Sequence, residues 1–195
     1  MKAAALVLTL ALAVPAGARW TEVPDGVRVP VAKQSGLSVT PGPGWNRNSW
    51  RPSRKGEQWS LNGPLLDRVE FMGAIATGEP LARERDRKRR PLPHVSVTWL
   101  PTDIARAFEE TQRIVHDTPD FEVDLIEPAT FAGRPGVRFT YRYTVRGEEL
   151  TRRGEARAAM IDKQLYLISY TAAALHYFDA HLAKARAVMD SAVVD

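Results

Sequence analysis

The residues able to do chemistry are few, and the four histidines come first: His94, His116, His176 and His181. His176 and His181 lie five apart, about 140° around a regular helix, whereas two ligands from one helix need a spacing of three or four. They cannot chelate one ion together, and neither a metal nor any other cofactor is expected. Hydrolysis needs a nucleophile beside a base and an orienting acid. The sequence has no Gly-x-Ser-x-Gly elbow, and Ser96 and Ser169 fall in segments that alternate like strands. The carboxylate pairs Glu109-Glu110 and Glu148-Glu149 are adjacent, so they diverge on a helix or mark a solvated turn. Pro41-Gly42-Pro43-Gly44 lacks the Gly-Lys-Ser/Thr ending of a phosphate loop, and its prolines have no N–H to offer an anion. It reads as a tight turn.

Charge and aromatic surface remain. Between Pro80 and Pro91 the run Arg83-Glu84-Arg85-Asp86-Arg87-Lys88-Arg89-Arg90 holds six cations and two anions. Without apolar residues it predicts an exposed loop whose Arg83, Arg85, Arg87, Lys88, Arg89 and Arg90 are the candidate binding residues. They suit anionic lipid headgroups or an acidic partner protein; the alternative is a solvated loop whose arginines pair internally. Trp45, Trp50 and Trp59, interleaved with Arg47, Arg51, Arg54 and Lys55, form either a stacking platform or plugs of a core. Arg138, Arg142 and Arg146 recur at every fourth residue of one alternating segment. They make a basic stripe if that face is open and must snorkel if a helix covers it.

These residues are positioned by elements legible from periodicity. Leu37–Val39 and Gln58–Leu61 read as short strands. Asp67–Ala76 reads as a strand covered on one face early and on both later. His94–Trp99 alternates again, before Thr102, a plausible N-cap, opens a helix over 102–116 with Ile104, Phe108, Thr111 and Val115 along one stripe. Phe121–Leu125, Val137–Arg146, Arg152–Ile161 and Leu165–Thr171 are strands separated by tight turns, which implies antiparallel pairing. The first of those turns is placed at Gly133–Gly136. A helix of about six turns begins near Ala173 and presents Leu175, Phe178, Leu182, Ala185, Met189 and Ala192. The fold class is α+β, a single antiparallel β-sheet flanked by helices.

The chain has 195 residues, with 27 Lys+Arg against 23 Asp+Glu, 44% apolar residues and no cysteine. Disulfide scaffolds, thiolate metal sites and lipid-modified cysteines are therefore excluded. Residues 1–18 read as a signal peptide, with Lys2, an apolar run from Ala3 to Val14 and cleavage after Ala18, so the protein is expected to be periplasmic or secreted. Cleavage leaves 177 residues at a formal charge of +3. No transmembrane segment is expected in the mature chain, and nucleic acid is not an expected partner. Residues 19–35 read as an irregular arm and 36–195 as one domain.

Taken together, Pro43-Gly44-Trp45 after a short strand, a central helix, the turn Phe131-Ala132-Gly133-Arg134-Pro135-Gly136-Val137-Arg138-Phe139, a strand with Leu165-Tyr166-Leu167-Ile168 and a closing helix resemble domains of the PsbP/Mog1 type. The resemblance covers roughly residues 36–194. It implies an α/β/α sandwich and non-enzymatic roles in assembly, stabilisation or partner binding, often in the cell envelope. Such domains share no active-site motif, so no residue inherits a role. The expected function is a non-catalytic exported binding or assembly module whose partner is an unknown envelope protein or anionic surface. An enzyme with a site assembled from distant residues is the remaining alternative.

Overall fold

A computed structural model describes residues 19–195; the expected signal peptide lies outside the described residues. In chain order the elements are β1 (Trp20–Glu22), β2 (Val29–Pro30), β3 (Leu37–Val39), β4 (Asn46–Asn48), β5 (Gly56–Ser60), β6 (Asp67–Ala76), α1 (Pro101–His116), β7 (Glu122–Phe131), β8 (Arg134–Thr144), β9 (Thr151–Ile161), β10 (Gln164–Ala173), α2 (Tyr177–Asp190) and β11 (Val193–Val194). Eight strands form one sheet in the order β1-β4-β5-β6-β10-β9-β8-β7, and every neighbouring pair is antiparallel. The described residues are thus α+β, with a large antiparallel sheet and two helices. They do not form a single sheet, because β11, β3 and β2 make a second, three-stranded one. The segment read as an irregular arm contributes β1 to one sheet and β2 to the other.

Tight turns set the register of the second half. Phe131 pairs with Arg134, leaving Ala132 and Gly133 as a two-residue turn with φ of 48° and 71°. Positive φ at both positions matches the twist of the strands. The turn therefore starts one residue before the predicted Gly133–Gly136 segment, and Arg134, Pro135 and Gly136 are already strand. Asp162 and Lys163 repeat this geometry between β9 and β10, at φ of 49° and 64°.

Apolar alternation then sorts side chains onto two faces. Val69, Phe71, Ile168 and Tyr170 pack with Phe178, Ala185 and Met189 of α2 and with Val29, Leu37 and Val39 of the small sheet. Met72, Val137, Phe139, Tyr141 and Leu167 pack with Ile104 and Phe108 of α1 and with Leu81 and Val95 of the long connection before it. Cover on each face is thus only partly helical.

Several elements depart from expectation. His94–Trp99 is not a strand: it makes a lone bridge, Pro80 to His94, and Val97 is exposed. Its backbone bonds make no ladder: Val95 N–H donates to Glu79 O at 2.9 Å, and Trp99 N–H closes a local turn on Ser96 O at 3.1 Å. Helix α1 takes Leu100, not Thr102, as its N-cap. Pro101 occupies the first helical turn, where its missing N–H costs nothing, and Asp103 Oδ2 accepts the Leu100 N–H at 2.8 Å. Helix α2 starts at Tyr177, since β10 runs on to Ala173, and Leu175 is 93% exposed in the turn between them.

Candidate functional site

One irregularity opens a site. Leu165 pairs with Ile75 and Leu167 with Met72, so Gly73 and Ala74 form a bulge in β6 opposite Tyr166. Bulges bend a strand and re-aim its side chains. Ala74 adopts φ of 54°, and a Cβ on Gly73 would lie 2.6 Å from that of Ser35. Lys55 Nζ donates to the Ala74 carbonyl at 2.6 Å and pairs with Glu79 at 2.5 Å. That pairing, with the Ala76 N–H, holds the Glu79 carboxyl below the usual range. Beside the bulge the 81–93 segment leaves the sheet and returns. Gly78 donates to Val95 O at 2.8 Å, Val95 donates to Glu79 O at 2.9 Å, and Leu81 and Leu92 are buried at the two ends.

This strap carries all six predicted cations, and Arg83, Arg85, Arg87, Lys88, Arg89 and Arg90 are all exposed. Its acids serve the loop itself. Glu84 accepts the Leu92 N–H at 2.9 Å, which, with His94 and Arg87 nearby, holds its carboxyl below the usual range. Asp86 Oδ1 accepts the Arg89 N–H at 3.1 Å. Internal pairing is partial: Arg87 reaches Glu84 at 3.8 Å and Arg90 reaches Asp117 at 3.4 Å. Among the described residues no carboxylate lies within 4.0 Å of the other four cations.

Between the strap, the Trp50–Lys55 loop and the end of α1 runs a cleft of two lobes, which share Arg51, Pro52 and Ala82–Glu84. The outer lobe, about 650 Å³, gathers Lys33, Arg54 and Lys55. The inner lobe, about 700 Å³, has Gln58, Arg68, Glu70 and Met72 as its floor. Arg68 and Glu70 face α1 and are largely buried, so the early part of β6 is covered on both faces, contrary to the alternation. Asn48 Nδ2 donates to Gln58 Oε1 at 3.1 Å, and Gln58 Nε2 donates to Glu70 Oε1 at 3.2 Å. Arg68 Nε stands 3.3 Å from Glu70 Oε1, and Arg68 Nη2 donates to the Tyr143 hydroxyl at 2.8 Å. Burial works against the Arg68 charge, but Tyr143 and Glu70 outweigh it and hold the guanidinium above its ordinary pKa. The floor is a fixed cation in a hydrogen-bonded chain.

The remaining candidates separate. Trp45 and Trp59 are fully buried, with Trp59 Nε1 donating to Glu57 at 2.8 Å, so the three tryptophans form no platform; only Trp50, 54% exposed, stands at the cleft mouth. Arg138 and Arg142 form neither an open basic stripe nor a snorkelling one. Acids of the flanking strands pair with them: Glu127 and Glu155 with Arg138, Glu122 and Asp124 with Arg142. Arg146, beyond the end of β8, reaches Asp117 at 3.7 Å. His181 contacts the Asn62 amide at 2.9 Å, and no group of three or more His, Cys, Asp or Glu gathers as a metal site among the described residues. No helix among them is long and apolar enough to cross a membrane.

The eight antiparallel strands with their two helices define a PsbP/Mog1-like α+β fold. The chain is similar to cyanobacterial PsbP (CyanoP) from Synechocystis sp. PCC 6803, at a TM-score of 0.55 and 14% identity over 96% of this chain and 98% of that one. It is also compared with LpqN, involved in cell envelope biogenesis of Mycobacterium tuberculosis, at a TM-score of 0.36 and 10% identity over 94% and 87%. At these identities the likeness concerns the fold alone, and the second is too loose to support any argument. No family model and no curated sequence matches the chain.

Proposed function

We propose that this protein is a non-catalytic binding or assembly module of the cell envelope that meets an anionic surface through its cationic strap. The observation behind this reading is the division of labour within the strap. Its acids are turned to the loop's own backbone while Arg83, Arg85, Lys88 and Arg89 stay exposed beside a cleft already rich in cations. A loop that only needed solubility could interleave free acids with its bases. The leader read from residues 1–18 delivers the chain to the compartment where such surfaces occur.

The test uses protein exported by a bacterial host, its N-terminus read by mass spectrometry; a start at Arg19 is expected. Binding to phosphatidylglycerol vesicles should exceed binding to phosphatidylcholine vesicles and weaken with salt. Replacing Arg87, Lys88, Arg89 and Arg90 by alanine removes four cations, each contributing about 1 kcal/mol near an anionic surface, so affinity should fall at least about a hundredfold at low ionic strength. Equal binding to both vesicles, or a variant that binds like the parent, rejects the reading.

A further inference from the structure

The inner lobe of the cleft asks for a ligand of its own. Burying an ion pair beneath a sheet's cover is expensive, and an apolar pair of the same volume is often as stable or more so. Arg68 and Glu70 are nevertheless built into the floor, on the face that elsewhere carries Met72, Val137 and Phe139. Their network is also incomplete. Arg68 Nη2 bonds Tyr143, yet the buried Arg68 Nε makes no aligned hydrogen bond and has only the ion-pair contact with Glu70 Oε1 at 3.3 Å. Buried donors without partners cost roughly 1–3 kcal/mol each, and such a deficit is met by an acceptor that enters the site.

The mouth adds a second demand. Trp50 and Leu65 are 54% and 73% exposed, two large apolar side chains on the wall of a charged cavity. Arg83 and Arg85 line the same wall. A cavity of about 700 Å³ with the Arg68–Glu70 pair at its base, Arg51, Arg83 and Arg85 against Glu84 on its walls and apolar groups at its lip falls within the ordinary range of small-molecule sites and keeps an excess of cations. We propose that the inner lobe binds a small amphiphilic anion, a carboxylate or phosphate monoester carried on an aromatic or short acyl group. Arg68 anchors the acid from the floor, Arg83 and Arg85 attend it from the strap, and Trp50 and Leu65 cover the apolar part.

Trp50 supplies the readout. Phenyl phosphate and benzoate should change its fluorescence saturably. Benzyl alcohol, which lacks the charge, and inorganic phosphate, which lacks the ring, should bind at least about tenfold more weakly. Dihexanoyl phosphatidic acid distinguishes a lipid source from a soluble one by saturating at a lower concentration than phenyl phosphate. R68M should lose about tenfold or more, and R68K, which keeps the charge without the fork, should fall between. A thermal melt of both variants shows whether the fold is retained, and W50F should lose the optical signal while calorimetry still detects weaker binding. The variant lacking Arg87, Lys88, Arg89 and Arg90 should bind phenyl phosphate unchanged, because none of those four lines the inner lobe. Failure of the vesicle reading is thereby separated from failure of this one. Binding of benzyl alcohol as tight as that of phenyl phosphate, no saturable response to any of the acids, or a folded R68M that binds like the parent overturns the proposal.

Discussion

Glu155 shows how one residue converts a row of arginines into structure. Its side chain is 1% exposed, on the face of β9 turned towards α2. Arg186 Nη2 of α2 and Arg138 Nη2 of β8 each donate to it at 2.7 Å. Burial alone raises a carboxyl pKa, but these charged hydrogen bonds outweigh it and hold Glu155 below the usual carboxylate range. A depressed folded-state pKa contributes stability that is complete above the unfolded value of 4.5 and is lost as pH falls through the folded value. Denaturant stability measured from neutral pH downward should therefore hold and then decline in the acid range below that value. E155Q should cost about 1–3 kcal/mol at neutral pH, the lower part of the range for a buried pair because Arg186 is partly exposed, and it should flatten the acid limb. Parallel acid limbs for parent and variant would show that the stability lost there comes from other carboxyls.

At the scale of elements, β8 and β9 are fitted to one another around a missing side chain. Gly154 pairs with Tyr141, and a Cβ on it would stand 2.1 Å from Tyr141 Cζ. The ring cannot step aside, because its hydroxyl bonds Thr171 at 2.8 Å and Phe108, Phe121 and Phe139 pack around it. G154A should destabilise by about 1–3 kcal/mol or more in chemical denaturation, as overpacked cores do, yet cost little when added to Y141A. Equal cost in both backgrounds would place the strain elsewhere. The alternation of β8 was legible in the sequence because both its faces obey the period, Val137, Phe139, Tyr141 and Tyr143 on one and arginines on the other. The 94–99 stretch alternates equally well and is no strand, since period alone does not supply a partner strand and only His94 makes a lone bridge, to Pro80. The strap was legible as an exposed basic loop for the same compositional reason that makes it polar. The inner lobe was not. Arg68 and Glu70 look like the wet face of β6, and only the return of the strap and the end of α1, dozens of residues away, bury them.

At the scale of the molecule, the sheet is shared between two cores that never touch except through it. Phe108 sits at the centre of one, with ring centroids of Phe139 and Tyr141 both at 5.3 Å, while Trp45 and Trp59 lie in the other. Strands β6 and β10 pair along most of their length and send alternate residues into both cores. Loss of packing on the α1 face therefore loosens the backbone on which the tryptophans of the α2 face depend. This geometry predicts one cooperative unit, with a single unfolding transition seen alike by backbone and side-chain probes. F108A should cost about 3–5 kcal/mol and the milder F108L about 1–1.5. Because Trp99 packs against the same cluster as Phe108, both variants are read in a W99F background, where the midpoint from tryptophan fluorescence should move together with that from far-ultraviolet circular dichroism. If the fluorescence midpoint stays at the parent value while the dichroism midpoint falls, the two faces unfold separately and the sheet does not couple them. A shared shift, in contrast, means that a ligand seated over Arg68 on the α1 face stabilises the whole domain, so phenyl phosphate should raise both midpoints by the same amount.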